Sequence, residues 1–397
     1  MNNKWKYVPF CDAVEICDSQ RKPINSKERA ARTEGKAQSE LYPYYGATGQ
    51  VGYIDDYITD GEYVLLGEDG APFLNTFAKK AYIITGKAWV NNHAHVLRSK
   101  GSNKFLCYYL NHFNYKGYVS GTTRLKLTQA QMKSIPIPIP PIEEQNCIVA
   151  RIEELFSELD NGVENLRKTK QQLAVYRQAV LKDAFSIALK KCGKLVPIEE
   201  LLATDRKGMS TGPFGTMLKK CEHKSKGVPV LGIENIGEGY FIDGNKIYVT
   251  LKKAQELKSF ALKAGDIIIS RSGTVGELCA VPLRMEGALL STNLMRVSLN
   301  SKKVLPEYFI YLFQSKGVVL DQVKELCKGS TRIFLNQTIL KQIQFPVPSI
   351  AIQTEIVAKI ESRLSVCESI EKTVDTALQQ AEAMRQSILK QAFEGRL

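Results

Sequence analysis

The chain has 397 residues, 44% of them hydrophobic and 24% charged, and a formal net charge of +13. That length has room for two or three domains with their own cores, and no apolar run approaches the roughly 18 residues that cross a bilayer. Nine cysteines without a Cys-x-x-Cys pair, only four histidines and no apolar segment behind Met1-Asn2-Asn3-Lys4-Trp5 argue against a zinc site, a disulfide framework and a signal peptide, so free thiols in a reducing cytoplasm are expected.

The first head opens on Trp5-Lys6-Tyr7-Val8-Pro9-Phe10, a short strand. A polar, basic stretch over residues 21–38 reads as a loop or short helix. Residues 41–54 mix β-type residues with glycines, which predicts strands joined by tight turns. Tyr63-Val64-Leu65-Leu66 is a buried strand that runs into Gly67-Glu68-Asp69-Gly70-Ala71-Pro72, a turn expected to expose two carboxylates. Ala81-Tyr82-Ile83-Ile84 is another strand. Residues 89–97 alternate apolar and polar, which as one strand would put His93 and His95 on the same side. Residues 105–113 predict an amphipathic helix, and Gly121-Thr122-Thr123-Arg124 a polar loop.

A Pro-rich run, Ile135-Pro136-Ile137-Pro138-Ile139-Pro140-Pro141, then introduces a long helix over residues 142–185. Ile142, Gln145, Val149, Ile152, Phe156, Leu159, Val163, Leu166, Lys170, Leu173, Arg177, Val180 and Ala184 step by three and four, the a/d seam of a heptad. At about 1.5 Å per residue this is a rod of roughly 65 Å, and its single apolar seam needs a partner.

The second head begins at Lys194-Leu195-Val196-Pro197-Ile198, like the first. Strands are predicted over 228–233, 239–242 and 264–270, the last ending in the polar glycine loop Arg271-Ser272-Gly273-Thr274. Residues 308–314 predict a helix, and Gly329-Ser330-Thr331-Arg332 repeats the first head's closing loop. A second stem follows, with Ile350, Gln353, Val357, Ile360, Leu364, Cys367, Glu371, Val374, Leu378, Ala381, Arg385, Ile388 and Ala392 on its seam.

Residues 121–185 and 329–393 align without a gap at an offset of 208, with 25 identities in 65 positions, a strong internal repeat. The chain therefore divides into a head (1–141), a stem (142–193), a second head (194–349) and a second stem (350–397). The expected class is α+β: two mixed, strand-rich heads and two long helices that pair as an antiparallel coiled coil with pseudo-two-fold symmetry. Lys170 and Glu371 interrupt the two seams and are expected to meet. Basic minus acidic residues give 18 − 12 and 22 − 14 in the heads, against 8 − 8 and 6 − 7 in the stems. The positive excess sits on the heads, which suits a polyanion.

No catalytic constellation is present. Phosphate-loop spacing is absent, as is the Asn/Asp-Pro-Pro-aromatic tetrapeptide with which an amino-methyltransferase holds its target nitrogen. No metal site and no cofactor of the chain's own are expected. The candidate contacts are polar. Glu68 and Asp69 can accept from cytosine N4. Asn91, Asn92, His93 and Asn293 are candidate base readers, because these segments differ between the heads. Thr122, Thr123, Arg124, Lys219, Arg271, Ser272, Thr274, Ser330, Thr331 and Arg332 put hydroxyls and cations where backbone can approach closely, a combination suited to phosphate and guanine edges. Read from the residues alone, a stand-alone DNA-binding protein and a coiled-coil scaffold for protein partners both stay open.

Two unlike heads of this size resemble those of the specificity subunit of Type I restriction–modification enzymes. Each is followed by a repeated Pro-x-Pro heptad helix that closes on Arg-Gln-x-x-Leu-Lys-x-Ala-Phe. The resemblance rests on Ile137-Pro138-Ile139-Pro140-Pro141-Ile142-Glu143-Glu144-Gln145, on Phe345-Pro346-Val347-Pro348-Ser349-Ile350-Ala351-Ile352-Gln353 and on the closing Ala392-Phe393-Glu394-Gly395-Arg396-Leu397. It extends to Gly212-Pro213-Phe214-Gly215-Thr216-Met217-Leu218-Lys219 in the second head. The second lead-in departs from the first, with Ala351-Ile352 where the first has Glu143-Glu144. The resemblance implies a non-catalytic subunit whose heads each read half of a split, asymmetric site in double-stranded DNA. It also implies that the stems set the gap and dock two methyltransferase subunits, which bring S-adenosylmethionine, with restriction and translocating subunits as a further addition. The seam residues expected to carry this are Ile152, Phe156, Leu159, Leu166, Leu173, Ile360, Leu364, Leu378 and Ile388.

Overall fold

The computed structural model describes residues 5–191, 194–214, 217–271, 277–326 and 335–397. Contacts divide the chain into two compact units, Met1–Lys168 with Val374–Leu397, and Thr169–Thr373. The divisions fall inside the two long helices, Ile142–Lys191 and Ile350–Phe393. The first runs six residues past the expected end at Phe185.

In the first unit, Val14–Ile16, Ala94–Ser99, Tyr63–Gly67 and Ala81–Ile84 form an antiparallel sheet in that order. Gly49–Ile54, Tyr42–Gly46, Lys87–Val90 and Thr59–Asp60 form a second, in which Tyr42–Gly46 and Lys87–Val90 run parallel. Residues 89–97 are thus two strands in two sheets rather than one alternating strand. The Asn91 side chain accepts the His93 N–H at 2.8 Å, an Asx turn that redirects the chain between the sheets. The basic stretch contains the helix Ser26–Thr33, capped by Asn25, whose side chain accepts the Glu28 N–H. Tyr7–Val8 pairs with Ile137–Pro138, so the head's first and last strands clasp each other.

The helix Asn103–His112 brings Phe105, Leu106, Tyr109 and Leu110 into the core against Ile148, Val149 and Ile152 of the first stem. The end of the second stem completes that core with Ile388, Leu389, Ala392 and Phe393. The Phe393 ring lies 5.3 Å from Phe105, 5.4 Å from Tyr109 and 5.5 Å from His112, centroid to centroid. Arg385 pairs with Asp160 and lies 4.8 Å over the Phe156 ring.

The second unit repeats this plan. Met209–Thr211, Leu294–Val297, Ile267–Ser270 and Leu278–Ala280 form an antiparallel sheet. Ile247–Val249, Val228–Leu231 and Leu289–Leu290 form a second one. The strand expected at 239–242 is absent. An isolated bridge between Ile236 and Phe241 closes a turn there, with the Gly237 N–H on the Tyr240 carbonyl at 2.9 Å, too tight for a ladder. Phe185, at the end of the first stem, packs edge-on against Tyr308 at 5.4 Å. Phe185 and Phe393 are repeat partners at the 208 offset, and each caps a head helix. Within this unit Arg177 meets Glu371 at 2.9 Å, while Asp183 meets Lys359 and Arg363 at 3.3 and 3.4 Å. Numbers rise on one helix as they fall on the other, so the stems run antiparallel. Glu371 thus pairs with Arg177, two seam positions beyond the expected Lys170.

Gln145 and Gln353, placed by the heptad in the seam, do something else. Gln145 accepts the Ser102 N–H at 3.0 Å and donates to the Pro140 carbonyl at 2.9 Å. Gln353, fully buried, accepts the Leu305 N–H at 2.9 Å and donates to the carbonyls of Lys303 and Pro348 at 2.8 Å each. Each glutamine latches the start of a stem to its head. Gln353→Leu leaves one N–H and two carbonyls without this partner, and is expected to destabilise the second unit by about 2–4 kcal/mol, read as a lower denaturant midpoint of its transition.

Candidate functional site

In the first unit, four loops meet at an open groove of about 670 Å3. Gly46, Ala47, Thr48 and Val51 form one wall, and Asp69–Pro72, Asn91 with His93, and Thr123–Leu125 form the others. The first wall is the turn between two strands of one sheet, and the Asp69 loop follows the central strand of the other. The groove therefore opens where both sheets end.

The turn at Glu68-Asp69 does not leave its carboxylates in solvent. Their side chains are 15% and 24% exposed, because cations distant in sequence cover them. Asp69 Oδ1 accepts from His93 Nδ1 at 2.6 Å and from Arg124 Nη2 at 3.0 Å. Gly70 has φ +72°, and a Cβ there would sit 3.2 Å from Arg124 Nε, so glycine fits both the turn and the arginine. Glu68 is bonded by Arg21 and has Lys126 at 3.4 Å. Beneath it His95, fully buried, contacts Asp18 Oδ2 at 2.8 Å and the Leu127 carbonyl at 3.1 Å. Burial alone would raise the Asp18 carboxyl. Its bond with His95, the Val96 N–H and the charge of Arg21 outweigh burial and hold it below its ordinary value. His93 and His95 therefore face separate aspartates, and among the described residues no group of His, Cys, Asp and Glu is placed to hold a metal ion.

Asn92, Thr122 and Thr123 are exposed beside this groove, and Thr123 and Arg124 line it. Aromatic faces below carry further cations: Arg29 lies 4.7 Å over Tyr44, and Arg32 lies 5.1 Å over Trp89. Arg21, Asp18 and the Gly46–Thr48 wall were not among the residues singled out from sequence. The glycines bounding Gly46-Ala47-Thr48-Gly49 were the available signal for the wall.

In the second unit, Arg271 is 6% exposed, with Nε on the Leu335 carbonyl and Nη1 on that of Thr292, both at 3.3 Å. So placed, it is buried and ties two loops together. Asn293 and Lys219 are exposed. The Thr292 hydroxyl donates to the Pro213 carbonyl at 2.8 Å. A Cβ on Gly212 would lie 1.9 Å from the Ser291 carbonyl oxygen, so only glycine permits this loop contact. Phe214, 56% exposed, flanks the Arg271 guanidinium at 5.8 Å. Ser272, Thr274, Ser330, Thr331 and Arg332 lie outside the described residues.

Of the seam residues, Ile152 and Ile388 are buried in the first unit, and Phe156, Leu159, Leu166 and Leu378 are half-buried there. Leu173 and Ile360 are buried in the second unit and Leu364 is half-buried. No helix among the described residues is long and apolar enough to cross a membrane.

The family model described as the Type I restriction modification DNA specificity domain matches the chain twice, over residues 2–172 and 214–380. The chain is 28% identical over 388 residues to the putative type I restriction enzyme specificity subunit S.HindORF215P of Haemophilus influenzae, covering 96% of this chain and 92% of that protein. It is 28% identical over 299 residues to the Type I restriction enzyme EcoKI specificity subunit of Escherichia coli, covering 70% of this chain and 61% of that protein. Among solved structures it is similar to a chain from work on complex assembly and conformational transition of the type I R-M system, with TM-score 0.69, 16% identity, and coverage of 99% and 98%. The HsdS subunit from Thermoanaerobacter tengcongensis superposes with TM-score 0.55 at 16% identity, covering 100% and 98%.

Proposed function

Because the chain belongs to the Type I restriction–modification DNA specificity family, we propose that its two heads read the two halves of one split DNA site on behalf of a methyltransferase. The observation that carries this is the double family match falling on two units of one plan, each with its own head and its own piece of paired stem. The heads differ where the sheets end in loops, and they carry the chain's basic excess. That division suits recognition in which phosphates supply affinity and base edges supply selectivity. The chain itself is the non-catalytic reader. Two methyltransferase subunits docked along the stems would bring S-adenosylmethionine and methylate adenine, translocating restriction subunits would add to that core, and the assembly would work in the cytoplasm.

Sequencing that detects methylated adenine in the host genome, with and without this gene, tests the reading. A split methylated motif is expected to vanish on deletion, and a methylome unchanged by deletion would overturn the proposal. Binding to the motif duplex is also expected to fall steeply with salt, by orders of magnitude between about 50 and 200 mM. Flat salt dependence would point to a scaffold for proteins instead.

A further inference from the structure

We propose that His93 is a specificity-determining residue of the first head, and that its Nε2 accepts a hydrogen bond from the exocyclic amine of an adenine or a cytosine. The inference rests on the DNA-reading role given above and adds the base class read at this groove.

The geometry fixes the ring and its proton. Asp69 is a carboxylate already bonded by Arg124, and it takes His93 Nδ1 at 2.6 Å. An ionised carboxylate only accepts, so Nδ1 carries a proton toward Asp69, and in the neutral imidazole that tautomer leaves the lone pair on Nε2. The backbone is held as firmly: the His93 N–H donates to Asn91 Oδ1 at 2.8 Å, and Asn91 is 7% exposed. Nε2 has no hydrogen-bond partner among the described residues, and the side chain remains 40% exposed on the groove. A tautomer locked from behind, with one free acceptor in front, is the arrangement of a reader rather than of a core histidine. His95, two residues on, shows the contrast: it is fully buried with both ring nitrogens engaged.

A fixed acceptor selects donors. On the major-groove edges only adenine N6 and cytosine N4 donate, while guanine O6 and N7 and thymine O4 accept. Opposite guanine or thymine, two lone pairs would face each other without water between them. Asn91 acts here as a positioning residue, and Asp69 as the group that sets the tautomer.

The test uses the full chain with its methyltransferase partner. The methylated motif is read by sequencing, and duplexes carrying it are made with each amine-bearing base replaced in turn by its deamino analogue, purine for adenine or 2-pyrimidinone for cytosine. The unaltered protein is expected to lose about tenfold in affinity at one position of one half-site. His93→Ala is expected to lose a similar factor on unmodified DNA and to become indifferent to the analogue at that position alone. His93→Gln, whose Oε1 can accept, should regain most of the discrimination. If His93→Ala fails to fold, His93→Phe, of similar size and without the acceptor, takes its place. A folded variant that still senses every amine the parent senses overturns the assignment, and so does one that loses all binding at once. A parent complex with no split motif sinks the DNA-reading role itself; a motif without an amine read through His93 sinks only this inference.

Discussion

Phe393→Ala is expected to destabilise the first unit by about 3–5 kcal/mol, the cost of emptying a buried aromatic site. The ring is 7% exposed and touches Phe105, Tyr109 and His112 of the head helix. Removing it opens a cavity at the point where the second stem completes the first head's core. The second unit, whose corresponding plug is Phe185 on Tyr308, should unfold at its original midpoint. Two-probe denaturation checks this, with Trp5 and Trp89, the chain's only tryptophans, reporting on the first unit. A loss shared equally by both transitions would show that the plug is not local to its unit. A loss below about 1 kcal/mol would show that the helix end is not needed.

Asp266→Ala should cost the second unit about as much, by a different route. Asp266, 5% exposed, accepts from Arg206 at 3.1 Å and from the Ser298 hydroxyl at 2.8 Å. Arg296, 3% exposed, lies in the same cluster, giving its Nη1 and Nη2 to the carbonyls of Ala261 and Lys207 at 2.9 and 3.0 Å. Burial, and then the charge of Arg206, weaken the hold of Arg296 on its proton, and Asp266 opposes them. Among the described residues, Arg206 Nη1 and Arg296 Nε have no hydrogen-bond partner. The buried carboxylate thus sits between two guanidiniums, Arg206 bonded to it and Arg296 close by. Its removal breaks the pair with Arg206 and takes away the charge that favours Arg296, worth about 3–5 kcal/mol for a broken buried pair. Replacing the cationic member as well, in Asp266→Ala/Arg206→Met, should recover much of the loss. A double variant no more stable than the single would show that the carboxylate acts through the Ser298 hydroxyl and the Lys263 N–H rather than through charge.

The repeat and the heptads made the two long helices and their antiparallel pairing legible, because both depend on periodicity along one chain. Gln145 and Gln353 were legible only as seam positions. A periodic pattern cannot show that a head loop will bring an N–H and carbonyls to a helix's first turn. Local rules likewise made Glu68-Asp69 a solvated turn. What covers it is Arg21, His93 and Arg124, which lie 24 to 55 residues away in sequence. Arg271 beside a glycine loop has the local look of a phosphate clamp, but in three dimensions it is buried, with bonds to the carbonyls of Thr292 and Leu335. The groove itself came from four segments, and only the meeting of two sheet ends makes them one site.

The last stem's place in the first head's core also has a consequence for biosynthesis. The second unit is one continuous stretch, Thr169–Thr373, whereas the first is interrupted and takes in Val374–Leu397. The nascent chain must therefore hold a half-built first head while some 200 residues are added, roughly 10–40 s at 5–20 residues per second. Helix Asn103–His112, with its Phe105, Tyr109 and Leu110 face, stays open until Phe393 arrives. The unit made second can close first, reversing the usual order in which the amino-terminal domain folds ahead of the rest.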